Sequence, residues 1–123
     1  MKRILITEDQ PDIRKLIHMT LEFEDYEIRE APDGVEGLRV AKEFQPDLML
    51  LDVMMPGELD GLQVCRHVKA DPALRHIKVV ILSARGQVAD RQAGKEAGAD
   101  GYLIKPFSPL ELIETLESML ATA

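Results

Sequence analysis

The chain has no tryptophan, two tyrosines, three phenylalanines and a single cysteine, Cys65. One thiol excludes an internal disulfide, so the fold must rest on an apolar core, and a reducing, cytoplasmic setting is expected. No apolar run approaches the length of a membrane span and the amino terminus reads directly as a strand, so neither anchor nor signal peptide is expected. A basic cluster is also missing, and the net charge is −7. Neutralising nucleic-acid phosphates needs grouped Lys and Arg, so direct binding to nucleic acid is not expected. What remains is ordinary for a globular domain: 46% hydrophobic and 30% charged residues over 123 positions. That length suits one domain spanning residues 1–123 and is too short for two.

The most informative stretch is 46–56, Pro-Asp-Leu-Met-Leu-Leu-Asp-Val-Met-Met-Pro. Leu48, Met49, Leu50 and Leu51 form a short continuous apolar run, the signature of a strand buried on both faces. Asp52 follows at once, at the carboxyl end, where open α/β sheets present their ligand sites. A second β-branched run, Lys2 to Thr7, ends in Glu8 and Asp9. Pro11 then opens a helix in which Ile13, Leu16, Ile17, Thr20 and Leu21 mark one face for burial. Tyr26 to Glu30 reads as a half-exposed strand. Asp33 with Glu36, and Asp60 with Gln63, are spaced as capping boxes before two further helices. Ile77 to Leu82 is the clearest strand and runs into Ser83. The helix after it, about 87–97, is weak: Gly94 stands inside it at a cost of ~1 kcal/mol against alanine. Gly98 closes that helix, a strand runs from Gly101 to Ile104, and Ser108-Pro109-Leu110-Glu111 caps a last helix. Strictly alternating strands and helices imply a doubly wound parallel sheet.

The ends of the strands share a chemistry. Glu8, Asp9 and Asp52 supply three carboxylates, Ser83 a hydroxyl and Lys105 an amine, all expected on one sheet edge. Crowded carboxylates raise one another's pKa, and a hard divalent cation resolves the repulsion. Lys105 supplies further positive charge, and Ser83 can donate to a phosphoryl oxygen. Such a set fits phosphoryl transfer, where positioning and charge neutralisation do most of the catalysis.

Over essentially its whole length the chain resembles a response-regulator receiver domain, the family of the bacterial chemotaxis regulator. The resemblance is carried by Glu8-Asp9, the segment from Leu51 to Gly57, Ser83-Ala84, and Gly-Tyr-Leu-Ile-Lys-Pro-Phe at 101–107. It implies a flavodoxin-like doubly wound α/β fold with five parallel strands in the order 2-1-3-4-5 and five helices. That order is the family's and is not read from spacing. The resemblance also implies that Asp52 accepts a phosphoryl group from a phosphohistidine on a sensor histidine kinase or a histidine phosphotransfer protein. Asp9, Asp52 and the main-chain carbonyl of Met54 would ligate Mg²⁺ or Mn²⁺ directly, with Glu8 acting through water. Lys105 would pair with the phosphoryl group, and Lys105-Pro106 would be a cis peptide. Ser83 and Tyr102 would be the switch residues that remodel the face of the fourth helix, fifth strand and fifth helix for an output protein.

Several positions depart from the family pattern. The segment Pro-Gly-Glu-Leu-Asp-Gly at 56–61 is one residue longer than the family's usual turn, so the loop beside the metal is expected to be reshaped. Ala-Arg-Gly at 84–86, Asp90-Arg91 and Gly-Ala-Asp at 98–100 resemble the branch attached to winged-helix transcription factors. Gly101 replaces a second Asp of that branch, and the last helix lacks the basic residue its inter-subunit ion pairs need, which argues for a monomer or weak dimer. His18, His67 and His76 do not cluster and are read as surface residues, and Cys65 as core. A haloacid-dehalogenase-type phosphatase is disfavoured because Met54 stands where that class needs a second Asp. A flavodoxin is disfavoured because Glu8-Asp9 replace a phosphate-cradling loop. A receiver that signals without phosphate is disfavoured by the intact constellation. The final helix ends near the last residue, consistent with a stand-alone module.

Overall fold

A computed structural model describes residues 1–55, 57, 59–84 and 88–121, the side chains of 88–90 apart. Its elements alternate as the sequence requires. They are β1 (Lys2–Thr7), α1 (Pro11–Leu21), β2 (Tyr26–Ala31), α2 (Gly34–Phe44), β3 (Leu48–Asp52), α3 (Gly61–Ala70), β4 (Lys78–Ser83), α4 (Val88–Glu96), β5 (Gly101–Ile104) and α5 (Pro109–Ala121). All strand pairs are parallel and the order is β2-β1-β3-β4-β5. β1 and β3 are adjacent at the centre, with the chain winding away from them in both directions, so the sheet's topological switch lies between their carboxyl ends.

Strand side chains alternate between two apolar layers. Leu5, Met49, Leu51, Val79 and Ile81 pack beneath α2 and α3 with Val40, Phe44, Val64 and Val68. Ile4, Ile6, Leu48, Leu50, Val80 and Leu82 pack against Ile17 and Leu21 of α1 and Leu112 and Leu116 of α5. All five residues of β3 are buried, which explains why that strand reads as a continuous apolar run.

The helix ends follow local chemistry. Asp60 and Gln63 exchange both hydrogen bonds of a capping box, each at 2.9 Å, and Ser108 with Glu111 does the same at 3.1 and 3.3 Å. Asp33 accepts from the N–H of Glu36 at 2.8 Å, but the Glu36 carboxylate turns to Arg39, so only half of that box forms. α1 also departs from expectation. Ile17 and Leu21 are buried, whereas Leu16 is 58% exposed. Leu16 precedes Ile17 by one residue and so projects about 100° away from it on a helix, past the edge of the stripe that meets the sheet.

Two glycines mark close approaches around the longer β3–α3 connection. A Cβ on Gly34, at the start of α2, would stand 2.6 Å from the Leu59 carbonyl oxygen. A Cβ on Gly61, at the start of α3, would stand 2.1 Å from the carbonyl oxygen of Asp52. Pro56 and Glu58 of that connection, and Arg85 at the end of β4, lie outside the described residues. Among the described residues no helix is long and apolar enough to cross a membrane.

Candidate functional site

Parallel strands end on one edge, and four of them deliver chemistry there. Glu8 and Asp9 follow β1, Asp52 ends β3, Ser83 ends β4 and Lys105 follows β5.

Glu8 is wholly buried, and its polar groups are matched one by one. Its N–H donates to the Ala31 carbonyl at 3.1 Å, and its carbonyl accepts from Arg14 Nη1 at 2.8 Å. Its Oε1 accepts from Lys105 Nζ at 2.6 Å, and Oε2 accepts from the N–H of Gln10 at 3.3 Å. Asp52 is 4% exposed. Lys105 Nζ lies 3.5 Å from its Oδ1, and the N–H of Met54 donates to the same oxygen at 3.3 Å. Lys105 thus sits closer to Glu8 than to Asp52. Burial, and then the neighbouring Glu8 and Asp9 carboxyls, push the Asp52 carboxyl up to about 7 against the opposing pull of Lys105.

Carboxylate oxygens of Glu8, Asp9 and Asp52 lie within 4.8 Å of one another. Asp9 Oδ1 is buried and accepts no hydrogen bond. An anionic oxygen withheld from both water and donors is costly to the fold, and a cation is the partner that would satisfy it. A cleft of about 430 Å³ opens beside Asp9, walled by Pro32, Val35, Gly57 and Leu59.

The other anticipated residues fall around this cluster. Ser83 is buried, and its carbonyl accepts the N–H of Lys105 at 2.7 Å. The Lys105-Pro106 peptide is cis. The Met54 side chain is 56% exposed at the rim. Tyr102 is not brought to the acids: it is half-buried against the layer under α2 and α3, with the Arg91 guanidinium 5.8 Å from its ring centre. Neither Cys65 nor the histidines join the site. Cys65 is buried, its thiol pushed up to about 11 by burial, and its Sγ donates to the Ala97 carbonyl at 3.4 Å. Two residues near the acids carry no sequence signal linking them there. Arg14 reads as the polar face of an amphipathic helix, and Gly61 as an ordinary first helical residue.

The family model for the response regulator receiver domain matches residues 4–117. The chain belongs to that family. Receiver domains are the phosphoryl-accepting modules of two-component response regulators. The transcriptional regulator RpaA of Synechocystis is 40% identical over 120 residues, covering 98% of this chain and 49% of its own length. The chain spans about half the length of the curated relatives it matches. Among solved structures, the Vibrio cholerae chemotaxis protein CheY4 is 32% identical with a TM-score of 0.92, covering 98% of this receiver domain and 99% of its own chain. The receiver domain of the sensor histidine kinase PA1611 from Pseudomonas aeruginosa is 30% identical with a TM-score of 0.89 and 98% coverage of both chains. That protein holds a magnesium ion in its active-site cleft. The donor set here suits the same kind of ion: hard carboxylate oxygens close together, one of them buried without a partner, with Asp9 also lining the adjoining cleft.

Proposed function

We propose that this receiver domain accepts a phosphoryl group on Asp52 from a phosphohistidine of a sensor histidine kinase or histidine phosphotransfer protein. Asp9, Asp52 and the main-chain carbonyl of Met54 hold Mg²⁺ or Mn²⁺, with Glu8 acting through water. The observation that carries this reading is the buried Asp52, clustered with Glu8 and Asp9 and 3.5 Å from the lysine amine.

The bound cation neutralises charge on the carboxylates and on the incoming phosphoryl oxygens. Everything else is the work of the chain. Asp52 is held at the end of a rigid strand, its Oδ1 oriented by the Met54 N–H and by Lys105. One of its carboxylate oxygens forms a bond to phosphorus as the phosphorus–nitrogen bond of the donor breaks. The electron pair of that bond stays with the departing imidazole, and an acyl phosphate remains on Asp52. Lys105, held 2.6 Å from Glu8, needs only a short shift to reach a phosphoryl oxygen.

The product carries a charge of about −1.5 to −2 in place of the carboxylate's single charge, and presents three strong acceptors at the edge. Ser83, at the end of β4, turns its hydroxyl to one of those oxygens, and Tyr102 turns inward. The surface formed by α4, β5 and α5 is remodelled for an output protein. The domain promotes only its own phosphorylation and dephosphorylation, works in the cytoplasm, and is not otherwise an enzyme.

The test is incubation with acetyl phosphate, with and without Mg²⁺, followed by intact mass measurement of the wild type and Asp52→Asn. One added phosphoryl group, dependent on Mg²⁺ and lost in the Asn variant, supports the reading. An adduct that persists in Asp52→Asn would move the acceptor elsewhere. Multiple-turnover phosphate release from unrelated esters would make the chain a phosphatase.

A further inference from the structure

We infer that Arg14, on α1, is a positioning residue for the cation site, acting through the peptide that joins Glu8 to Asp9. This rests on the reading that Glu8 and Asp9 serve a divalent cation. Arg14 lies one turn into α1 and folds back toward the strand end. Its Nη1 donates to the Glu8 carbonyl at 2.8 Å, and its Nε donates to Glu30 Oε1, on β2, at 3.0 Å. The second Glu30 oxygen lies 2.5 Å from His18 Nδ1, one further turn along α1. The Arg14 side chain is 20% exposed, and its bond to the Glu8 carbonyl is partly buried, where a fixed contact is worth more than at an open surface.

The position of that carbonyl gives the contact its consequence. The β1–β2 ladder closes at Thr7 with Ala31, and only the Glu8 N–H, bonded to the Ala31 carbonyl, extends it. The next peptide plane contains the Glu8 carbonyl and the Asp9 N–H together, and because a peptide is rigid, fixing one end fixes both. Asp9 has a carboxylate oxygen with no hydrogen bond, so the direction of that oxygen depends on how its backbone is held. Arg14 supplies that hold, and Glu30 aims Arg14. The guanidinium is also a positive charge near a cation site, and charge alone would weaken cation binding. Positioning and charge therefore predict opposite signs on removal.

Titration calorimetry of Mg²⁺ into wild type, Arg14→Gln, Arg14→Lys and Glu30→Gln separates them, with thermal unfolding in chelator run on each protein. Positioning predicts Mg²⁺ affinity about 10-fold weaker in Arg14→Gln. It predicts a smaller loss in Glu30→Gln, where the arginine is present but unaimed, and an intermediate value in Arg14→Lys. Unchanged or tighter Mg²⁺ binding by Arg14→Gln would overturn the inference. If Arg14→Gln fails to fold, Glu30→Gln and Arg14→Lys decide by the same criterion. A wild-type chain that takes up no Mg²⁺, with Asp9→Asn indistinguishable from it, would overturn the cation reading itself.

Discussion

Lys105 closes a 2.6 Å ion pair with Glu8, which lies 97 positions earlier and is wholly buried. Breaking a buried pair from one side leaves a charge with no partner and little water. Lys105→Met should therefore destabilise the cation-free protein by about 3 kcal/mol at neutral pH. Glu8→Gln should cost less, because the Lys105 side chain is 16% exposed and can turn to solvent. Urea unfolding of the two variants checks the order, and equal losses would show that Lys105 does not depend on Glu8 for its place.

The Asp52 carboxyl, pushed up to about 7 chiefly by burial and then by Glu8, titrates well above the roughly 3.9 of an unfolded chain. Between those values the folded protein keeps a proton that the unfolded one has released. Its contribution to stability is full below about pH 4, is lost as pH rises toward 7, and is flat beyond. Unfolding measured in chelator should show this fall, and Asp52→Asn should abolish it while raising stability at pH 7 by up to about 4 kcal/mol. A wild-type profile that rises over this range would contradict the crowding of the three carboxyls.

Gly61→Ala places a methyl where only 2.1 Å separates it from the Asp52 carbonyl oxygen. The obstacle is backbone, so either the strand end or the start of α3 must move. A loss of about 3 kcal/mol is expected, with reduced acetyl phosphate labelling of the fraction that stays folded. Full stability would mean that α3 slides without disturbing β3.

Gly94 presents the opposite case. A Cβ there meets Tyr102 at 3.7 Å and Ile81 at 3.8 Å, ordinary packing distances. Gly94→Ala should stabilise the protein by about 0.5–1 kcal/mol through helix propensity alone. A thermal midpoint that falls would show that α4 needs the glycine for a reason other than room.

The fold was open to sequence reading because β3 and β4 are buried on both faces and are written as uninterrupted apolar runs, while the helices carry caps spelled out in Asp60, Gln63, Ser108 and Glu111. The acids were legible for a related reason: each sits immediately after such a run. Sequence could not tell which acid takes the lysine, since the 2.6 and 3.5 Å distances from Lys105 to Glu8 and Asp52 depend on how two loops settle. Leu16 misled because helical periodicity gives a stripe but not its width, and the sheet covers only the part holding Ile17 and Leu21. Arg14 stayed hidden because its target is a carbonyl, a group every residue carries.

The N–H of Gly61 donates to the Val53 carbonyl at 3.1 Å, so the β3–α3 connection is closed at its base by one hydrogen bond. Chain added within such a closed excursion costs little, since loop entropy grows only slowly with length. Length in this connection therefore costs little, and Asp52 is held by β3 and not by the loop. Gly57, exposed and with nothing within 4 Å of a Cβ placed on it, is the graft point this offers: an epitope or recognition peptide inserted there would screen who can approach the acid without pushing on the acid.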